Sequence, residues 1–256
     1  MNTLAVGLTV FACTFGGALL GMALRRALPA HHLDDGSKDT IKLGIGLVAT
    51  MTALVLGLVT ASAKSSYDAV DTGIKQTAVD LLVLDRALAR YGAEAAPVRA
   101  ALKQAVTVRV DSIWPPGGVA AATQRDPLHA QTGSMVEALA SAIRALKPQD
   151  EEQRALRDHA LAQAEALLRA RWLLVAGTEA TIPLPFLVVV IAWLAVIFTS
   201  FGLFAPRHGT VQAVLLLCAA SVASALFLVL EMETPFDGLL RVSDQPLRYA
   251  LAHLGR

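Results

Sequence analysis

The sequence predicts an all-α membrane protein: four membrane-spanning helices, with a helical-bundle domain inserted between the second and third spans. Three observations carry that prediction. Four apolar runs free of charge are each long enough to cross a bilayer core, which takes about 20 residues at about 1.5 Å of rise each. The composition, 55% hydrophobic and 17% charged with a positive mean hydropathy, departs from the soluble average toward membrane proteins. No stretch alternates apolar and polar residues with the period of a strand, whereas the charged middle of the chain repeats its apolar residues at steps of three and four. A formal net charge of +1 supplies no basic stripe, so nucleic acid is not an expected partner. Cys13 and Cys218 stand far apart in apolar runs. That spacing predicts free thiols at lipid depth, not a disulfide framework or a cysteine zinc site.

Residues 1–63 are read as the first transmembrane hairpin, with spans over about residues 3–24 and 43–63. Met1 to Leu24 carries no Lys or Arg, and its apolar run exceeds that of a secretory signal. It is expected to remain as a first helix ending at Arg25 and Arg26. Gly7, Thr14, Gly17 and Gly21 share one of its faces. In the second span Gly46, Thr50, Ala53, Gly57, Thr60 and Lys64 recur at alternating steps of four and three. They form a small-and-polar stripe that ends in a lysine, with Leu47, Met51, Leu54 and Leu58 to its side. Small residues let two backbones approach closely in lipid, so the simplest use of this stripe is to dock on Gly17 and Gly21 of the first helix. Its other use is to line a pore, with Lys64 as a cationic attractor at the mouth.

The connection from Ala27 to Lys42 holds His31, His32, Asp34 and Asp35, followed by the turn-prone Gly36 and Ser37. Two histidines and two carboxylates have the right chemistry for a metal ion. Adjacent residues rarely converge on one ion, however, and no distant ligand stands out. The stretch is read as a solvated loop, with no metal and no cofactor expected.

Residues 64–179 are read as a helical extramembrane domain, with charges of both signs and no hydrophobic span. Nothing breaks the second helix as it leaves the membrane, so it is expected to run on to Gly92, with Gly73 its one weak point. Pro97 suits the first turn of another helix, which stops at Trp114-Pro115-Pro116-Gly117-Gly118. Val136, Leu139, Ala140 and Ile143 mark a short helix. Pro148 opens a longer one with Leu161, Ala164, Leu168, Trp172 and Val175 as its stripe. Asp85 and Arg86 are expected to make a buried polar contact in this bundle.

Residues 180–230 are read as the second transmembrane hairpin, with spans over about residues 184–205 and 210–230. Pro183 and Pro185 suit a helix start, and Ser221 and Ser224 offer hydroxyls for bonds between helices. Glu231 and Glu233 end the fourth span, where Ser224 and Glu231 lie on nearly one face. Carboxylates at membrane depth are candidates for a proton or cation site, but at a helix end water is near and a structural ion pair serves equally. Residues 231–256 are read as a C-terminal tail in which Ser243 or Asp244 caps a short amphipathic helix through Leu251 and Leu254. Cationic residues near the span ends nearly balance, Arg25, Arg26, Lys38, Lys42 and Arg207 against Lys64, Lys75, Arg169, Arg171 and Arg241, so this count assigns no side to the domain. There is no nucleophile elbow, phosphate-cradling glycine loop or paired-histidine metal motif, and the chain is not expected to be an enzyme.

Four segments taken together, HHLDDGSKDTIKLGIGLVATMTALVLGLVTASAKSSYD, DRALARYGAEAAPVRAAL, FGLFAPRHGT and LEMETPFDGLLRVSDQPLR, resemble the bestrophin-like domain family of bacterial multi-pass membrane proteins. That resemblance implies a distant likeness in plan to the bestrophin anion channels, homopentamers with four membrane helices per subunit and a helical cytosolic domain. It implies further a homo-oligomer in the bacterial cytoplasmic membrane and a small anion as the species that crosses. The bulky apolar and aromatic residues of the bestrophin pore neck are replaced here by the small stripe of the second span, so no gate residue carries over. The competing expectation is a non-conducting membrane interaction or sensory module that binds a partner through its helical domain.

Overall fold

A computed structural model of the chain describes residues 3–29, 35–115, 137–177, 182–206, 208–236 and 238–256, and among them the fold is helical, without strands. The elements are α1 (Thr3–Ala27), α2 (Asp35–Tyr91), a short 3-10 turn (Ala93–Ala95), α3 (Ala96–Ile113), α4 (137–145), α5 (Glu151–Gly177), α6 (Leu184–Phe204), α7 (Gly209–Met232) and α8 (Gln245–His253). By length and apolarity, α1, the first part of α2, α6 and α7 are the four candidate spans.

The helix ends follow local chemistry. α2 runs unbroken through Gly73, where Thr77 bonds back to the Gly73 carbonyl. It stops at Tyr91 because Gly92 takes a left-handed φ of 122°, a conformation that suits glycine. Gln153 then donates to the Tyr91 carbonyl at the helix end through Nε2 at 3.0 Å. The same side chain accepts the Gln149 N–H at 2.8 Å, while the Gln153 N–H donates to Asp150 Oδ1 at 2.7 Å and so starts α5. α5 therefore opens three residues after Pro148. α6 starts at Leu184 with Pro185 in its first turn, where the missing N–H leaves no helical bond unmade. The polar connection between the first two spans is shorter than expected, since α2 is already helical from Asp35, and Gly36 and Ser37 lie in its first turn.

The contacts divide the chain into two compact units, Met1–Ser66 with Ala180–Thr234, and Tyr67–Glu179 with Pro235–Arg256. In the first unit α1 packs on α6 and α7. The seam with α6 is made of backbone: a Cβ built on Gly21 would lie 1.9 Å from the Thr199 carbonyl oxygen, and one on Gly202 would lie 1.9 Å from that of Ala18. Gly17 faces the Ala195 carbonyl and the Thr199 hydroxyl, and Gly7 faces the Phe227 side chain of α7. The expected docking of the α1 glycines on the second span is thus corrected. Their partner is α6, whose Ala195, Thr199 and Gly202 repeat the same spacing. Two apolar clusters fill the remaining space, one around Val10, Leu187, Val190, Leu194 and Leu226, the other around Ala18, Met22, Phe198, Leu215 and Ala219. Ser221 and Ser224 turn back onto the Leu217 and Ala220 carbonyls of their own helix, so they do not supply the bonds between helices expected of them.

The second unit has one core, built from Val70, Ile74, Leu81, Leu84 and Leu88 of α2, Val98, Leu102, Val106 and Val110 of α3, Leu139 and Ile143 of α4, and Ala160, Ala164 and Leu167 of α5. The buried stripe of α5 is therefore Ala160, Ala164 and Leu167, whereas Trp172 is exposed. The segment read as a tail belongs to the same core through Val242, Leu247, Ala250 and Leu254. Trp114 ends α3 and ties it to that segment, its indole N–H donating to the Val242 carbonyl at 3.0 Å and its ring edge-on to Phe236. The polar centre is Asp85, only 1% exposed. Its partner is Arg99 and not Arg86: the Arg99 guanidinium makes two parallel bonds to the carboxylate at 2.8 and 2.9 Å, and the Gly255 N–H adds a third at 3.2 Å. Arg99 also donates to the Arg256 carbonyl and Lys103 to that of Leu254, which fastens the end of α8 to α3.

Two predictions follow from these seams. Gly202→Ala forces a methyl into the Ala18 backbone and is expected to lower the melting temperature by the equivalent of at least about 1–3 kcal/mol. Gly44→Ala, which meets nothing within 4 Å, is expected to leave it unchanged or raise it. Asp85→Ala leaves the Arg99 fork facing no carboxylate and is expected to cost roughly 3 kcal/mol. In a double-mutant cycle with Arg99→Met, thermal unfolding of the purified protein should show the two losses to be far from additive.

Candidate functional site

The second span is covered by its own chain far less than the others. Only 6% of its most apolar stretch is buried, against 28–39% for the other three. One face is packed: Thr52 is buried, and Val55 and Leu56 rest on the cluster formed by α1, α6 and α7. The space enclosed where Leu56 and Val59 meet Phe186, Val190, Leu226 and Leu230 is only about 10 Å³ and wholly apolar, too small to be a passage.

The small-and-polar stripe lies on another face. Gly46, Thr50, Ala53, Gly57 and Lys64 are exposed, Thr60 is half-buried, and a Cβ on Gly46 or Gly57 would meet nothing within 4 Å. Beside it Leu43, Leu47, Leu54 and Leu58 form a second exposed stripe of large side chains. At 100° per residue the two stripes are centred roughly 100° apart on the helix. The threonine hydroxyls bond back to carbonyls of the same helix, Thr50 to Leu47 at 2.8 Å and Thr60 to Leu56 at 2.7 Å. In that state each turns only oxygen lone pairs outward. Offering an anion a proton requires the hydroxyl to rotate away from its carbonyl, which then keeps its ordinary helical bond.

The two carboxylates at the end of α7 are drawn inward by different partners. Glu231 is buried and accepts the Thr3 hydroxyl at 2.6 Å, joining the start of α1 to the end of α7. Glu233 accepts the Ile182 N–H at 2.8 Å, just before the start of α6. Ser224 does not join them, because its hydroxyl is held by Ala220. At the other end of the hairpins Arg25 donates to the Ala205 carbonyl at 2.6 Å and neutralises the C-terminal end of α6. The Thr3 and Ile182 contacts join residues far apart in the chain and leave no local pattern. The uncharged Thr3 near the start of α1 is the single sequence signal that could have suggested one of them. Of the four weak metal candidates, His31, His32 and Asp34 lie outside the described residues, and Asp35 is described only as the first backbone position of α2. No group of metal-ligating side chains occurs among the described residues.

Burial pushes the Glu233 carboxyl above its ordinary range, and the Ile182 N–H opposes that rise by favouring the ionised form. A carboxyl whose pKa is raised in the folded state favours folding while it is protonated, and that contribution is lost as pH rises through the folded pKa. Glu233→Gln keeps an acceptor for the Ile182 N–H without the charge. It is expected to melt higher than wild type at neutral pH, with the difference shrinking toward about pH 4. Melting curves over that pH range check the sign.

With this geometry in place the comparison with known proteins is specific. Residues 12–247 match the Bestrophin-like domain, from the middle of α1 into α8. No curated protein and no solved structure matches the chain. Four apolar helices of spanning length and a family match over nearly the whole chain lead to one conclusion: this is a membrane protein that belongs to the bestrophin-like family.

Proposed function

We propose that the chain is one subunit of a homo-oligomeric, passive anion pathway in the bacterial cytoplasmic membrane, with α2 of each subunit turned toward the axis and no enzymatic step. The observation that carries this reading is the uncovered small-and-polar face of α2. Gly17 and Gly21 of α1 and Gly202 of α6 are engaged within the chain, while Gly46, Thr50, Ala53 and Gly57 have no neighbour there to fit. Large apolar residues suit lipid, and small ones gain only from a close neighbour or from water. The apolar packing of α2 on α6 and α7 leaves no conduit on that side, which supports reading the uncovered face as the one that would border a path between subunits. Along such a path Thr50 and Thr60 supply hydroxyls that rotate to donate, and Lys64 supplies positive charge where the stripe ends. A pentamer, the assembly of the bestrophin channels, has the symmetry this arrangement needs.

The test is iodide or chloride flux into liposomes holding the purified protein. Wild type is expected to conduct above empty liposomes, and Lys64→Glu to reduce anion flux several-fold by reversing the charge at the mouth. A monomer in the membrane, or absence of flux, overturns the proposal and favours a non-conducting module that binds a partner through its helical domain.

A further inference from the structure

Away from the spans, in the helical unit, α2 and α5 leave a surface cleft of about 270 Å³. Its floor is apolar, made by Leu82, Val83 and Leu156, and its polar groups are all basic: Arg86 and Arg90 from α2 and His159 from α5. Arg86 and Arg90 are one helical turn apart, so their side chains rise from one face with Cβ atoms about 5–6 Å apart. Like charges at that spacing oppose helix formation unless something neutralises them. Among the described residues neither guanidinium is in an ion pair or hydrogen bond, and no carboxylate lines the cleft. The acids adjacent to it in sequence are engaged elsewhere, Asp85 with Arg99 and Asp158 with Arg157.

The chemistry of the rim selects the ligand. A guanidinium is a planar fork that matches carboxylate and phosphate oxygens in pairs. A lone carboxylate fills one fork and leaves the second cation unanswered. A phosphomonoester carries close to two negative charges at neutral pH on three acceptor oxygens, enough for two forks and an imidazole. The floor then shelters the organic part, and the volume suits one small ring or short chain and not a dinucleotide. We infer that this cleft binds a small phosphomonoester, its phosphate between Arg86 and Arg90 with His159 alongside and its apolar substituent on Leu82, Val83 and Leu156. The site is independent of whether ions pass along α2.

The experiment uses the full chain in nanodiscs of zwitterionic lipid, titrated calorimetrically with phenyl phosphate, inorganic phosphate and benzoate. Phenyl phosphate is expected to bind saturably and more tightly than the other two. Arg86→Gln and Arg90→Gln are each expected to weaken it roughly tenfold or more, and the double variant to abolish it. All three variants should keep the wild-type melting temperature, because both side chains are exposed. Absence of saturable binding to wild type, or undiminished binding to the double variant, overturns the site. Equal affinity for phenyl phosphate and inorganic phosphate overturns the role of the apolar floor.

Discussion

The constraint on which the membrane unit depends is the close backbone approach of α1 to α6 at Gly21 and Gly202. In lipid there is no hydrophobic gain from bringing two apolar helices together, so association rests on close van der Waals contact, and glycine permits the closest. At Gly21 and Gly202 each helix occupies the space a side chain would need on the other. That fit is reciprocal and uses up the small face of α1. It follows that the small face of α2 has no partner left in the chain, and α2 is held by its apolar face instead, through Thr52, Val55 and Leu56. The open face is thus a direct consequence of where the glycines of α1 are engaged.

α2 carries the second constraint, its length. No proline interrupts it over 57 residues, it runs through its internal glycines, and it stops only at Gly92, where φ turns positive. Thr52, Ala63, Val70, Ile74, Leu81 and Leu88 are all buried and keep to one register of steps near multiples of three and four.

Much of this was legible in the sequence. The four spans, the end of α2 at Gly92, the stop at Trp114 and the start of the last helix after Asp244 are all written locally, in charge-free runs, prolines and glycines, although Asp244 makes no side-chain cap bond there and pairs with Arg248 instead. Pairing was not, because two stripes of small residues look alike whichever helix they serve. The four- and three-residue steps of Ala195, Thr199 and Gly202 on α6 were present as a competing signal. They are harder to see among bulky neighbours such as Phe198, Phe201 and Leu203. Asp85 reads as a buried acid from the sequence, but its partner lies fourteen residues on, across a helix end, where no periodicity points. The adjacent Arg86 leaves the helix about 100° round from Asp85 and is exposed, whereas Asp85 faces the core.

That same geometry explains why the two arginines of one short segment have different fates. Arg99, on α3, reaches a buried carboxylate and is held by it, with its pKa raised chiefly by the hydrogen bonds to Asp85. Arg86, next to that carboxylate in sequence, is turned outward by the helix and meets Arg90 instead. Burial of one acid thus fixes which cation is structural and which remains open to solvent. The helical unit keeps its charge balance inside the core and leaves a surplus of positive charge over an apolar floor at its surface. Such a surplus is stable in water without a ligand, because exposed guanidiniums remain hydrated and are screened by salt. It becomes a recognition site only where apolar surface adjoins it, as Leu82, Val83 and Leu156 do.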